Sequence, residues 1–378
     1  MILTNATLIL DDELINGSLE IDDGRIKRLD SGASRLTEAI DCAGGYILPG
    51  LVELHTDNME KHFTPRPGVN WPGLHAFKAH DAQMVGAGIT TVFDAISVGD
   101  VVQGSARLDN LERMVDALLQ TRERGLVRAE HLLHLRCEVS HDDTLHNFQR
   151  LADRASVSLV SLMDHSPGQR QFVRLDKYRE YFQGKYHLSD AELEAFIQRQ
   201  KDASERNSRR YRQAISDTCR ARGIAIASHD DATLEHVSES LEFNTRIAEF
   251  PTTLEAAQAA HSAGMAVMMG APNVIRGGSH SGNIAAHELA SLGVLDVLSS
   301  DYYPTSLLDS AFTLARDERN PIGLSDAVAM VTSTPAKAVG LDDRGRLAEG
   351  QLADLLWCRE HDGHVHIEHV WKNGNRVY

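Results

Sequence analysis

Eight short apolar runs alternate with helical stretches through the middle of the chain, and this alternation restricts the fold more than any other feature. The runs are 50–56, Ile89–Asp94, His131–Glu138, Val157–Asp164, Ile224–His229, Ile247–Phe250, Ala266–Gly270 and Val297–Asp301. Strands that take turns with helices build parallel sheets. Eight such units over roughly 250 residues are what a TIM-like (β/α)8 barrel requires. An open doubly wound sheet is the competitor, but no glycine-rich dinucleotide turn follows an early strand. The expected class is α/β.

Both ends of the chain have a different texture. Leu3–Leu10, Gly17–Ile21 and Arg25–Leu29 read as short strands separated by turns such as Asp22-Asp23-Gly24, and Ala353–Trp357, His364–Ile367 and His369–Trp371 repeat the pattern before a Lys372-Asn373-Gly374 turn. Two β-rich ends predict one small discontinuous β-sandwich domain over 1–48 and 341–378, with the barrel over 49–340. A helical insertion is expected near 167–222. Ser189-Asp190-Ala191-Glu192 is a capping box that opens a long helix, read for most of its length as a solvated crossover.

Composition removes several classes of function. With 38 Lys+Arg against 54 Asp+Glu the net charge is −16, which argues against nucleic-acid binding but leaves room for a small anionic substrate. The four cysteines, Cys42, Cys137, Cys219 and Cys358, have no CxxC spacing, so neither a disulfide frame nor a zinc knuckle is indicated. No window approaches a transmembrane span and no signal peptide is visible, so the expected setting is cytoplasmic, without a membrane partner. A homo-oligomer stays open.

The chemistry gathers where the apolar runs end. Leu51-Val52-Glu53-Leu54 stops at His55-Thr56-Asp57, and alternation sends His55 and Asp57 to one side, about 6.5 Å apart along the strand. Such a pair grips a divalent metal, or is an ordinary hydrogen-bonded strand end. In order, the strand ends supply His55 and Asp57; Asp94; Glu138; Asp164 and His165; His229, Asp230 and Asp231; Glu249; Asn273; and Asp301. A barrel gathers such positions at its C-terminal mouth. Imidazoles and carboxylates without a thiolate suit zinc, manganese or iron, one or two ions. With His55, Asp57, Glu138 and His229 as ligands, Asp301 is the natural catalytic base at the metal, collecting a proton from water.

Two segments carry a family resemblance. Asp41–His55 resembles the entry to the first barrel strand of the amidohydrolase superfamily, and Gly350–Leu355 its return strand into the small β-domain. Longer motifs, among them Leu162–Phe172, Ala227–Thr233, Arg276–Asn283 and Ser299–Pro304, resemble a branch of that superfamily serving phosphonate breakdown. The resemblance implies metal-dependent hydrolysis of a ribose 5-triphosphate, with release of diphosphate. Such a sugar triphosphate needs cations and N–H donors. Arg276, Gly277, Gly278, Ser279 and His280 follow the seventh strand as a candidate phosphate loop; Arg170, Arg66 and Lys61 are candidate clamps. The Gly-Gly pair also reads as a plain tight turn. The chain departs from the superfamily in carrying Asp57 for the second His of His-x-His, Glu249 where many members have His, and no bridging lysine. Glu138 is the candidate bridge, and His165 is either a metal ligand or a phosphate contact. A carbon–nitrogen hydrolase (deacetylase or cyclic amidase) on the same barrel, and a non-catalytic assembly protein, are the alternatives.

Overall fold

A computed structural model of the chain describes residues 1–100, 106–154, 156–173, 175–186, 189–279 and 282–378. The eight expected strands are present: β1 (Leu51–Thr56), β2 (Ile89–Val98), β3 (Glu130–Glu138), β4 (Val157–Met163), β5 (Ala225–His229), β6 (Ile247–Glu249), β7 (Ala266–Gly270) and β8 (Val297–Ser299). They lie in sequence order in one parallel sheet, an α/β barrel. Their faces are almost wholly buried, all of β2 included. This is why they read as continuous apolar runs rather than as alternating ones.

The chain divides into two compact units, one of Met1–Asp94, Asp116–Leu132 and Gly270–Tyr378, the other of Ala95–Val115 and Leu133–Met269. In the first, both termini build a sheet in the order Asn375–Arg376, His364–Lys372, Leu355–His361, Tyr46–Pro49, Ile2–Ile9, Leu14–Asp22, Arg25–Ser31. Asp23 and Gly24 both have positive φ, as do Asn373 and Gly374, so each pair forms the tight turn that two-residue hairpins favour. The sheet curls over Leu3, Leu19, Ile21, Leu355 and Trp371. Its edge closes where Ile26 N–H donates to Gln351 O (2.9 Å) and Gly350 N–H to Ile26 O (2.8 Å). The same unit joins the ends of β1 and β8 through a parallel bridge between Thr56 and Asp301.

In the second unit the insertion carries a 33-residue helix, α2 (Asp190–Arg222), the first in our numbering being α1 (Asn58–Phe63) of the other unit. The capping box forms as expected: Ser189 N–H donates to Glu192 Oε2 at 2.9 Å, and Gly223 ends the helix in the left-handed conformation. It is more than a solvated crossover. Leu193, Ile197, Tyr211, Ile215 and Cys219 are buried. Ser204 and Ser208 donate to Asp164 Oδ2 at 3.0 and 2.9 Å, and Asn207 to Asp142 Oδ1 at 2.6 Å. The helix reads as solvated because part of its buried face is polar and bonded to carboxylates, beside an apolar part packed on Phe172, Tyr178 and Phe182. All four cysteines are buried and unbridged.

Candidate metal centre

In the second unit, the register of β5 against β6 pairs His229 with Glu249. The His229 Nδ1–H donates to Glu249 Oε2 at 2.5 Å, since a carboxylate can only accept. A matching pair lies after β4: His165 Nδ1–H donates to Glu138 Oε2 at 2.6 Å, and His165 N–H to Glu138 Oε1 at 3.1 Å. Each ring is thereby held in the tautomer that presents Nε2 as a donor to a metal. Both Nε2 atoms face Asp230 Oδ2, at 3.8 Å from His165 and 3.4 Å from His229. The ligand atoms of His165, His229 and Asp230 all lie within 4.8 Å of one another, a set that could hold a metal ion. Two imidazole nitrogens and one carboxylate, each imidazole backed by a second carboxylate, fit a divalent ion of the zinc, manganese or iron group.

One residue takes a place other than the one expected, and two for which no place was set gain one. Glu138, read as a direct ligand or bridge, instead stands behind His165, with both oxygens committed there and Oε1 also accepting from Ser140 Oγ at 2.6 Å. Glu249 stands behind His229 in the same way and is steadied by Ser161 Oγ–H at 2.7 Å, itself bonded to His134. Asp230 joins the ligand set. It adopts φ +57°, an uncommon setting for a non-glycine, with its carboxylate facing the two rings. Burial opposes charge on His165, yet Glu138 and then Asp230 outweigh it and hold that ring above the usual histidine range.

The first unit brings His55, Asp57 and Asp301 together. Asp301 N–H donates to His55 O at 3.1 Å, Asp57 N–H to Asp301 O at 3.2 Å, and Ser299 Oγ–H to His55 O at 2.7 Å. Asp301 also has a left-handed φ of +53°. Asp57 caps α1, and its Oδ1 is buried with no hydrogen-bond partner, as expected of an oxygen kept for a cation. Sequence reasoning missed Glu53. It is fully buried, it accepts from His55 N–H and from Ser300 N–H at 2.6 Å each, and burial pushes its carboxyl up to about 7. A single carboxylate inside an apolar run, two residues before His55, was the available signal.

The phosphate candidates fare unevenly. Gly277 is the left-handed cap of the helix α3 (Ala271–Arg276). Its N–H donates to Val274 O at 3.1 Å, and Gly278 N–H to Asn273 O at 2.9 Å. This is a Schellman closure that leaves neither N–H for phosphate, so the tight-turn reading holds for both glycines. Arg170, expected as a clamp, is 2 % exposed, pairs with Asp231, and donates to Glu239 Oε2 at 2.7 Å. Its fork is occupied by carboxylates. Arg276 and Arg66 are exposed, and Ser279 is half-buried. Lys61 is exposed too, with its ammonium on Tyr302 O and 5.5 Å from that ring's centre. His280 lies outside the described residues.

A second histidine cluster, in the first unit, is closed on itself. Asp94 accepts from His80 Nε2–H at 2.6 Å and from His131 Nδ1–H at 2.7 Å. His131 Nε2–H reaches Asp81 at 3.3 Å, and Asn58 Nδ2–H reaches His80 Nδ1 at 3.2 Å. All four ring nitrogens are answered. Burial disfavours charge on His131, but Asp94 and Asp81 together outweigh it and raise the ring to about 9.

A model of the amidohydrolase family matches residues 74–378. The alpha-D-ribose 1-methylphosphonate 5-triphosphate diphosphatase of Escherichia coli (strain K12) is 56% identical over 378 residues, covering 100% of both chains. The N-acyl-D-glutamate deacylase of Alcaligenes xylosoxydans xylosoxydans is 36% identical over 111 residues, 25% of this chain and 22% of its own length. Among solved structures, N-acetyl-D-glucosamine-6-phosphate deacetylase from Mycobacterium smegmatis aligns with a TM-score of 0.64 and 18% identity, covering 100% of both chains. The 5-methylcytosine deaminase from Klebsiella pneumoniae aligns at 0.58 and 15%, covering 100% of this chain and 98% of its own. These structural likenesses show the fold alone. Given the family match over most of its length and the full-length relative, the chain belongs to the amidohydrolase family.

Proposed function

We propose that the chain hydrolyses alpha-D-ribose 1-methylphosphonate 5-triphosphate to the 5-phosphate and diphosphate, a step of phosphonate breakdown. The observation that carries this reading is the 56% identity to the E. coli diphosphatase over the whole of both chains. The paired His165–Glu138 and His229–Glu249 units support a metal-dependent hydrolysis. The proposed setting is the cytoplasm; among the described residues no helix is long and apolar enough to cross a membrane.

A bound divalent ion would supply Lewis acidity and lower the pKa of a coordinated water. The proposed ligands are His165, His229 and Asp230; His55 and Asp57 stay proposed as ligands from the sequence, and Asp57 Oδ1 is buried without a hydrogen-bond partner. Asp301 accepts the proton that water releases as its oxygen attacks the phosphorus nearest the sugar. The bond from that phosphorus to the bridging oxygen breaks, and diphosphate leaves with the electron pair. Arg276, Ser279, His280, Arg66 and Lys61 stay proposed as contacts for the phosphates.

The decisive measurement is product identity. Purified protein with added manganese or zinc should convert the ribose triphosphate to equal amounts of ribose monophosphate and diphosphate. Orthophosphate as the first product would move the attack to the outermost phosphorus and overturn the assignment. Asp301→Asn should keep its metal and lose about 100- to 10,000-fold in kcat; full turnover would remove Asp301 from its role.

A further inference from the structure

Strand β3 sends His134, Arg136 and Glu138 to one face by the two-residue repeat, while Leu133, Leu135 and Cys137 on the other face are buried in the core. The neighbours on the first face are known: His134 bonds to Ser161, and Glu138 to His165. Arg136 stands between them, half-buried, with its Nε buried and without a hydrogen-bond partner. Among the described residues it forms no ion pair. Its charge is felt at the His165 ring, where it opposes protonation.

Other sequestered arginines behave differently. Arg170 pairs with Asp231 and Glu239, Arg212 lies 3.7 Å from Glu239, and Arg344 reaches Asp343 at 2.9 Å and Glu130 at 2.5 Å. Arg136 keeps part of its surface in water, but its buried Nε has given up water without gaining an acceptor, which is costly unless a ligand answers it. Glu138, two residues further along the same strand face, is already taken by His165 and Ser140. The planar fork of an arginine matches two oxygens of a phosphoryl group better than any other side chain does.

We infer that Arg136 is a substrate-binding residue of this centre, its N–H groups donating to two oxygens of a polyphosphate ester beside His165. The inference rests on the phosphohydrolase reading and replaces the role first given to Arg170. It also explains how an acidic protein can receive a polyanion next to its own carboxylates: a cation with no ion-pair partner among the described residues is held on the strand that carries Glu138.

Inorganic triphosphate is the probe, titrated by calorimetry into metal-loaded wild type, Arg136→Ala and Arg136→Lys, with metal content and Tm measured on each. The expected result is a loss of roughly 10- to 100-fold in affinity for Arg136→Ala, with metal content unchanged and a partial recovery in Arg136→Lys. KM for the ribose triphosphate should rise in the same order, and added guanidinium ion should restore part of the Arg136→Ala loss. Equal affinity in wild type and Arg136→Ala would overturn the inference, as would a loss matched by an emptied metal site. Should wild type bind triphosphate through Arg136 yet fail to release diphosphate from the ribose ester, the arginine site stands and the proposed reaction falls.

Discussion

Two clusters of buried histidine and carboxylate use the same side chains for opposite ends. In the His80–Asp94–His131 cluster one carboxylate serves two rings, and every ring nitrogen is answered by Asp94, Asp81 or Asn58. In the His165–His229–Asp230 cluster each ring has a carboxylate of its own on Nδ1, and the Nε2 atoms turn toward a shared oxygen. Residue type does not separate the two, and burial only in part, since His165 is partly exposed; the destination of the second nitrogen does. We read the first arrangement as a fastening, and the second, where the Nε2 atoms converge on one carboxylate oxygen, as a candidate metal site.

The largest effect that separates them is on metal. His229→Ala should empty the centre and abolish turnover, and because it takes a partner from buried Glu249 it should lower Tm as well; metal analysis and activity on one preparation check this. The converse is His131→Ala, which takes a shared cationic partner from two buried carboxylates, Asp94 and Asp81. It should cost about 3–5 kcal/mol of stability and leave metal content unchanged, as read by urea unfolding and metal analysis. If His131→Ala lost metal instead, the two clusters would not be functionally distinct. Glu249→Gln keeps the shape but weakens the acceptor for His229 Nδ1–H. A fall of about 10- to 100-fold in metal affinity, without loss of fold, is expected in a competition titration. The smallest effect is in pH. His131 has its pKa raised to about 9 in the fold against about 6.5 unfolded. Its contribution is therefore complete below pH about 6.5 and declines as pH rises through about 9. Wild-type Tm should fall across that window more steeply than that of His131→Phe; parallel curves would show that the ring carries no charge.

Much of the barrel was legible before any coordinates. Strands buried on both faces must be apolar throughout, and helices between them must be amphipathic, so the eight-fold alternation appears in one dimension. The long helix from Asp190 was legible from its capping box, and the turns at Asp23-Gly24 and Asn373-Gly374 from residues that tolerate positive φ. The functional side chains were legible as types and as strand ends. Their division of labour was not. Glu138 and Asp230 are both carboxylates at strand ends, and only the direction of His165 decides that one orients a ring and the other faces the ligand set.

The phosphate contacts show the same boundary. A glycine pair beside an arginine reads as an anion loop, yet Gly277 and Gly278 close a helix because their N–H groups point back at its carbonyls. Arg170 lies in a motif that suggests a clamp, yet it is buried against Asp231 and Glu239. Arg136 drew no attention in a strand of leucines, because nothing local tells whether a charged side chain has found its partner.

The order of residues alone determined which elements form, how they alternate, and that imidazoles and carboxylates cluster where strands stop, since propensity and burial pattern are local properties. Tertiary structure decided which nitrogen faces which oxygen, and which arginine is left unanswered. Those outcomes depend on hydrogen-bond directions between segments far apart in the chain, and no one-dimensional pattern carries a direction.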